Sequence, residues 1–225
     1  MTTIKSAILG ILLAIATTSC LKEKKHNTVQ AEFTNPILPG FYPDPSICRG
    51  EDGYYMVNST FGYFPGIPIF FSDDMVHWQQ IGHALTRPSQ LQIEGQNSSS
   101  RGTYAPTIEY HKGTYFITCT EVGNRGNYIV TAKDPAGSWS ELNLLPEIIG
   151  IDPSLFFDED GKTYIIYNSD APGNNPEYDG HRTIRINEID IEAMKVVGED
   201  KILVNGDPKA ELASKKARLQ LEPCN

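Results

Sequence analysis

Two aspartates in this chain stand in the same local setting, Asp44-Pro45-Ser46-Ile47 and Asp152-Pro153-Ser154-Leu155. Each is followed by proline, a small hydroxyl and an aliphatic residue that opens an apolar, strand-like run. Asp44 lies between two prolines, whose rings fix their own φ near −65° and disfavour the helical region for the residue before them. That spacing predicts extended backbone at Asp44, stiff enough to hold a carboxylate in one direction, at the mouth of a strand over 46–48. Paired carboxylates held apart on rigid strands are the equipment of glycoside hydrolysis. The alternative is that Asp-Pro simply opens strands and turns well; Asp134-Pro135, which reads as a plain turn, shows the same dipeptide without a partner.

The two motifs belong to a repeat. Asp44-Pro45, Ala105-Pro106 and Asp152-Pro153 are each followed, seven or eight residues after the proline, by a glycine in a charged turn: Glu51-Asp52-Gly53, His111-Lys112-Gly113 and Glu159-Asp160-Gly161. An aromatic strand follows each turn, as in a tight hairpin where glycine takes φ > 0. The second half repeats too. Ile69-Phe70-Phe71-Ser72-Asp73-Asp74 leads to Trp78, and Ile129-Val130-Thr131-Ala132-Lys133-Asp134 leads to Trp139. A third strand closing on an aspartate turn and a fourth carrying Trp are expected in those two units. The third copy continues through 184–190, 195–197 and 202–204 without a Trp. Four-stranded units at this period predict an all-β chain built as a β-propeller, with about three blades present. A β-sandwich would not explain matched hairpins with matched Pro entries. In a propeller the first strand of each blade lines the axis, so Asp44, Ala105 and Asp152 converge there.

Composition agrees with such a fold and narrows the partners. Nineteen Gly, fifteen Pro, eleven Tyr and nine Phe suit many short strands and turns. A net charge of −9 argues against nucleic acid or an anionic membrane surface; a neutral sugar is compatible with it. Residues 1–19 read as a secretory signal, with Lys5, an apolar stretch over 7–16 and small residues before Cys20. That ending resembles a bacterial lipobox, which makes Cys20 a lipidation site; an ordinary signal peptide is the alternative. Residues 20–32 read as a polar tether. The expected location is therefore the bacterial periplasm or the outer-membrane surface, with the lipid as the only membrane contact. No C-x-x-C spacing or His/Cys cluster supports a metal site or disulfide framework, and Cys48 and Cys119 read as buried thiols. Gln90 to Arg101 reads as a loop between blades.

Asn35-Pro36-Ile37 through Pro43-Asp44-Pro45-Ser46-Ile47, Tyr104-Ala105-Pro106-Thr107 and Asp152-Pro153-Ser154-Leu155-Phe156 resemble glycoside hydrolase family 43. The resemblance implies a five-bladed propeller, of which residues 33–207 would form the first three blades. It implies inverting hydrolysis of xylan- and arabinan-derived oligosaccharides without an organic cofactor, any channel metal ligand belonging to later blades. Ser59-Thr60-Phe61, Phe64-Pro65-Gly66-Ile67-Pro68-Ile69 and Arg87-Pro88-Ser89-Gln90-Leu91 look like its β-xylosidase branch. By position, Asp44 matches the general base and Asp152 the aspartate that orients the acid and tunes its pKa. Phe64 and Tyr104 match aromatic walls of the sugar pocket, Tyr104 standing where Trp is frequent. The family's general acid is a Glu in Glu-Gly-Pro-His opening the fourth blade. Here Glu222 lacks the Gly and His, and the pattern is lost after Lys216, so residues 208–225 are expected to be a divergent tail from a truncation or frameshift. On that expectation the chain lacks its acid and is inactive alone. A non-catalytic sugar-binding lipoprotein and a pseudogene product stay open beside the hydrolase.

Overall fold

The computed structural model describes residues 33–91 and 101–207. The signal peptide, Cys20, the tether, most of the loop expected after Gln90 and the tail with Glu222 lie outside the described residues. Among the described residues, twelve strands form three four-stranded antiparallel sheets, each a meander in which neighbours in sequence are neighbours in space. The first holds β1 (Ser46–Arg49), β2 (Tyr54–Val57), β3 (Gly66–Ser72) and β4 (Gln79–Leu85). The second holds β5 (Gly102–His111), β6 (Thr114–Val122), β7 (Gly126–Ala132) and the short β8 (Asn143–Leu144). The third holds β9 (Ile151–Phe157), β10 (Thr163–Asp170), β11 (Arg182–Asp190) and β12 (Lys195–Asn205).

The middle sheet packs on both neighbours, and the period of two along β6 is the reason. Tyr115, Ile117 and Cys119 join a core with Cys48, Tyr55, Val57, Ile67 and Ile69 of the first sheet. Phe116, from the other face, joins Ile129, Leu145 and Ile148 against Leu155, Ile165, Tyr167 and Ile189 of the third. The lead strands β1, β5 and β9 lie side by side in that order. Both expected thiols are buried and free; burial pushes Cys48, then Glu109's charge adds to it, up to about 12.

Two sequence expectations change. The tryptophans precede the fourth strands: Trp78 and Trp139 lie in the turns before β4 and β8, where each indole N–H donates back to a carbonyl, Met75 at 3.0 Å and Pro135 at 3.2 Å. The indole closes the aspartate turn, which is why Trp recurs after Asp at this spacing. The segments at 195–197 and 202–204 are one strand, β12, which takes two register shifts against β11. Gln90 lies in the connection between the first two sheets, as expected, and is anchored there. Its fully buried side chain accepts from the N–H of Thr86 and Arg87, and its amide donates to the carbonyl of Ser140 at 2.7 Å.

Candidate active site

The backbone at the three repeat entries departs from the extended form expected before proline. Asp44, Ala105 and Asp152 all take left-handed φ, at 52°, 36° and 58°. A non-glycine residue there costs on the order of 1–3 kcal/mol, and such strain concentrates at functional sites. Local preference loses because the pairing on either side over-determines the geometry. Tyr104 pairs with Thr120 and Thr107 with Thr118, so Ala105 and Pro106 together face the single residue Cys119. Ile151 pairs with Asn168 and Ser154 with Ile166, so Asp152 and Pro153 face Tyr167. In the first sheet Ser59 donates its N–H to Pro43 and Ser46 pairs with Val57, leaving Asp44 and Pro45 against Asn58. The result is one β-bulge at the same place in each sheet, and bulges re-aim side chains. Proline suits the second bulge position because that residue makes no ladder bond.

Hydroxyls from neighbouring sheets hold the bulges together. Ser46 Oγ accepts the Ile108 N–H at 3.1 Å, tying the first sheet to the second. Thr107 and Thr118 hydroxyls both reach the Pro153 carbonyl at 2.8 Å, tying the second to the third. Asn58, 1% exposed, donates to the carbonyls of Tyr42 and Pro43.

Asp44 and Asp152 both reach solvent and are close enough to feel each other. The Asp152 carboxyl is pushed above its ordinary value, first by the protein packed around it and then by the Asp44 charge; Arg182 opposes both. Arg182 is held in place by Asn168 Oδ1 at 2.8 Å and by Asp170, so its charge is fixed relative to Asp152. Asp44 Oδ2 accepts from Ser59 Oγ at 2.6 Å. Two carboxylates with unlike environments divide naturally into different roles.

Aromatic rings stand beside them. Tyr104, adjoining the middle bulge, meets Phe61 edge-on at 5.2 Å, and Phe41 lies 6.2 Å from Phe61. Phe61 is placed by a two-way backbone bridge to Thr103, both bonds 3.0 Å. The bridge needs Gly102, at φ 109°, since a Cβ there would sit 2.3 Å from the Phe61 carbonyl oxygen. Phe64 is exposed on the same loop. The sequence pointed to Phe64 and Tyr104; Ser59 and Phe61 were visible only inside a family-like string, and Arg182 carried no sequence signal. A cavity of about 440 Å³ opens beside Arg182, lined by Asp170, Tyr178 and His181 among others. Another of about 560 Å³ is lined by Tyr167, Arg185, Asn187 and Asp200 among others, and neither cavity is lined by Asp44 or Asp152. Among the described residues, no group of three or more His, Cys, Asp or Glu side chains is placed to hold a metal ion.

Comparison with known proteins gives this geometry a family. The model of glycosyl hydrolases family 43 matches residues 33–218. The chain belongs to that family. A xylosidase/arabinosidase of Butyrivibrio fibrisolvens is 51% identical over 174 residues, covering 76% of this chain and 33% of its own length. A non-reducing end α-L-arabinofuranosidase of Bacteroides ovatus is 49% identical over 143 residues, covering 61% and 26%. Among solved structures, a family 43 enzyme from a capybara gut metagenome aligns with a TM-score of 0.73 at 47% identity, covering 80% of this chain and 34% of its own. A xylan β-1,4-xylosidase from Bacillus halodurans aligns at 0.71 and 38%, covering 79% and 34%. The chain thus spans about a third of the length of these family 43 relatives. All-β, with three antiparallel sheets, it has the architecture of a propeller family.

Proposed function

We propose that this chain carries the base side of an inverting glycosidase acting on xylose- or arabinose-containing oligosaccharides. The observation that carries the reading is the pair of aspartates at matched left-handed bulges, one hydrogen-bonded by Ser59 and the other pushed up by burial and then by its neighbour's charge. Asp44 takes a proton from the water that attacks the anomeric carbon, and Asp152 orients and tunes the acid across the bond. Phe61, Phe64 and Tyr104 wall the pocket, supplying apolar faces for a sugar ring. The general acid is assigned to no residue of 33–207. It comes from the part of the fold beyond them, where two further blades would complete a five-bladed ring; relatives three times as long support this division. Export with lipid on Cys20 belongs to the same proposal, and loss of labelled palmitate in Cys20→Ser tests it.

A second reading, sugar binding without hydrolysis, is favoured by one observation: the described residues supply rings and two aspartates, while the acid is assigned to none of them. The deciding experiment pairs xylo-oligosaccharide calorimetry with turnover of aryl xyloside and aryl arabinofuranoside. Hydrolysis with inverted anomeric product, abolished by Asp44→Asn, supports the enzyme. Saturable binding without turnover, lost in Tyr104→Ala, supports the binder. Turnover that survives Asp44→Asn overturns the assignment of the base.

A further inference from the structure

We infer that Ser59 is a positioning residue for Asp44 and that it brings the second sheet into the site through the backbone N–H of Ala105. The inference rests on the reading of Asp44 as the base. The hydrogen-bond directions are forced. Ala105 N–H can only donate, and it meets Ser59 Oγ at 2.7 Å. The hydroxyl has one proton, and the acceptor facing it is Asp44 Oδ2 at 2.6 Å. Charge-assisted bonds of this length are about twice as strong as neutral ones. The order is therefore Ala105 N–H to Ser59 Oγ, then Ser59 O–H to Asp44, with each bond polarising the next.

Every part of this relay is held from elsewhere. Ser59 is 3% exposed, and its own N–H is bonded to the Pro43 carbonyl at the edge of the Asp44 bulge. Ala105 is in its bulge, turned out of the β5–β6 pairing, so its N–H needs a partner other than the ladder. Ser59 is that partner. The middle repeat has no carboxylate at position 105 and still contributes to the axis: its share is a backbone dipole. The two oxygens of Asp44 become unequal as a result. Oδ2 is taken by Ser59, and Oδ1, which has no hydrogen-bond partner among the described residues, is the atom that receives the proton from water. In that step the water oxygen bonds to the anomeric carbon as the bond from that carbon to the glycosidic oxygen breaks, one water proton passes to Oδ1, and the departing oxygen takes a proton from the general acid.

The test needs no sugar. In the full chain labelled with 15N-alanine, the Ala105 amide peak is identified by its loss in Ala105→Gly. Ser59→Ala should speed exchange of that amide by about tenfold or more, the equivalent of one hydrogen bond. Asp44→Asn should move the Ala105 amide resonance, and the movement should vanish in a Ser59→Ala background. Ser59→Thr should restore the coupling, while Ser59→Val, the same shape without the hydroxyl, should not. An Ala105 resonance indifferent to Asp44→Asn, or equally responsive with Ser59 removed, overturns the relay. Hydrolysis that survives Asp44→Asn would instead overturn the assignment of the base and leave these amide results standing.

Discussion

Removing the guanidinium of Arg125 should cost this fold more stability than any surface ion pair could. Glu121 on β6 is 1% exposed, and Arg125 in the β6–β7 turn is its partner through Nε. The same guanidinium donates to the carbonyls of Ser89 at 2.8 Å and Gln90 at 2.6 Å, fastening the segment that leaves the first sheet onto the second. Arg125→Met leaves the Glu121 carboxylate without its charged partner in a place water barely reaches, with the Asn124 amide still donating to Oε1 at 3.4 Å. Breaking a buried pair from one side typically costs about 3–5 kcal/mol. The Ser89 carbonyl can turn to solvent, so it adds little; the Gln90 carbonyl is left with less. For a domain of this size that loss corresponds to a fall in Tm of roughly 6–20 °C. Urea unfolding followed by tryptophan fluorescence measures it. The double variant Arg125→Met with Glu121→Gln removes the buried negative charge and should recover a large part of the loss. A single-variant loss below about 1 kcal/mol, the range of exposed pairs, would refute the reasoning, as would a double variant no more stable than the single.

The site makes further tests available. Asp44→Asn removes a negative neighbour and should lower the Asp152 titration midpoint, whereas Arg182→Met removes a positive one and should raise it; carboxyl 13C NMR of aspartate-labelled protein reads both. Because Asp152 sits above its unfolded value, the native state holds its proton longer, so stability falls as pH rises through that window. Asp152→Asn should therefore gain stability relative to the parent at neutral pH and lose that advantage in acid, as urea midpoints at several pH values would show. Tyr104→Ala should weaken xylo-oligosaccharide binding by about tenfold, the value of one aromatic contact, with Phe61→Ala similar because its edge-on packing fixes Tyr104; calorimetry decides. Ile117, fully buried between the first two sheets, should cost about 2–5 kcal/mol when cut to Ala.

The strand plan was legible because its signals are periodic and local: glycine hairpins, alternation along β6, and prolines at fixed offsets. The two aspartates were legible for the same reason, since a repeat makes equivalent positions comparable within one chain. The backbone under them was not. Dipeptide preference puts a residue before proline in extended geometry, and only pairing partners distant in sequence, such as Thr118 and Thr120 for the middle bulge, reverse that preference. The roles of Ser59, Arg182 and Phe61 stayed hidden because each acts across a gap between elements. Ser59 lies 46 residues from Ala105, and Arg182 returns to Asn168 over a 14-residue excursion. The burial of Gln90 was hidden for a related reason: its side chain bonds backbone at Thr86, Arg87 and Ser140, which is how a polar residue satisfies itself in a core.

The recurrence of one bulge with Asp, Ala and Asp in its first position separates scaffold from chemistry. Proline, the ladder on either side and the hydroxyls between sheets set the direction of the side chain, and none of these depends on what that side chain is. The three lead strands thus carry interchangeable sockets, and a single codon can fit a carboxylate, a methyl or another group into any of them while the strands stay put. A fold built this way can change which repeat bears the reactive group without rebuilding the repeat. It gives a route by which neighbouring members of one lineage could trade substrates, or fall silent, one socket at a time.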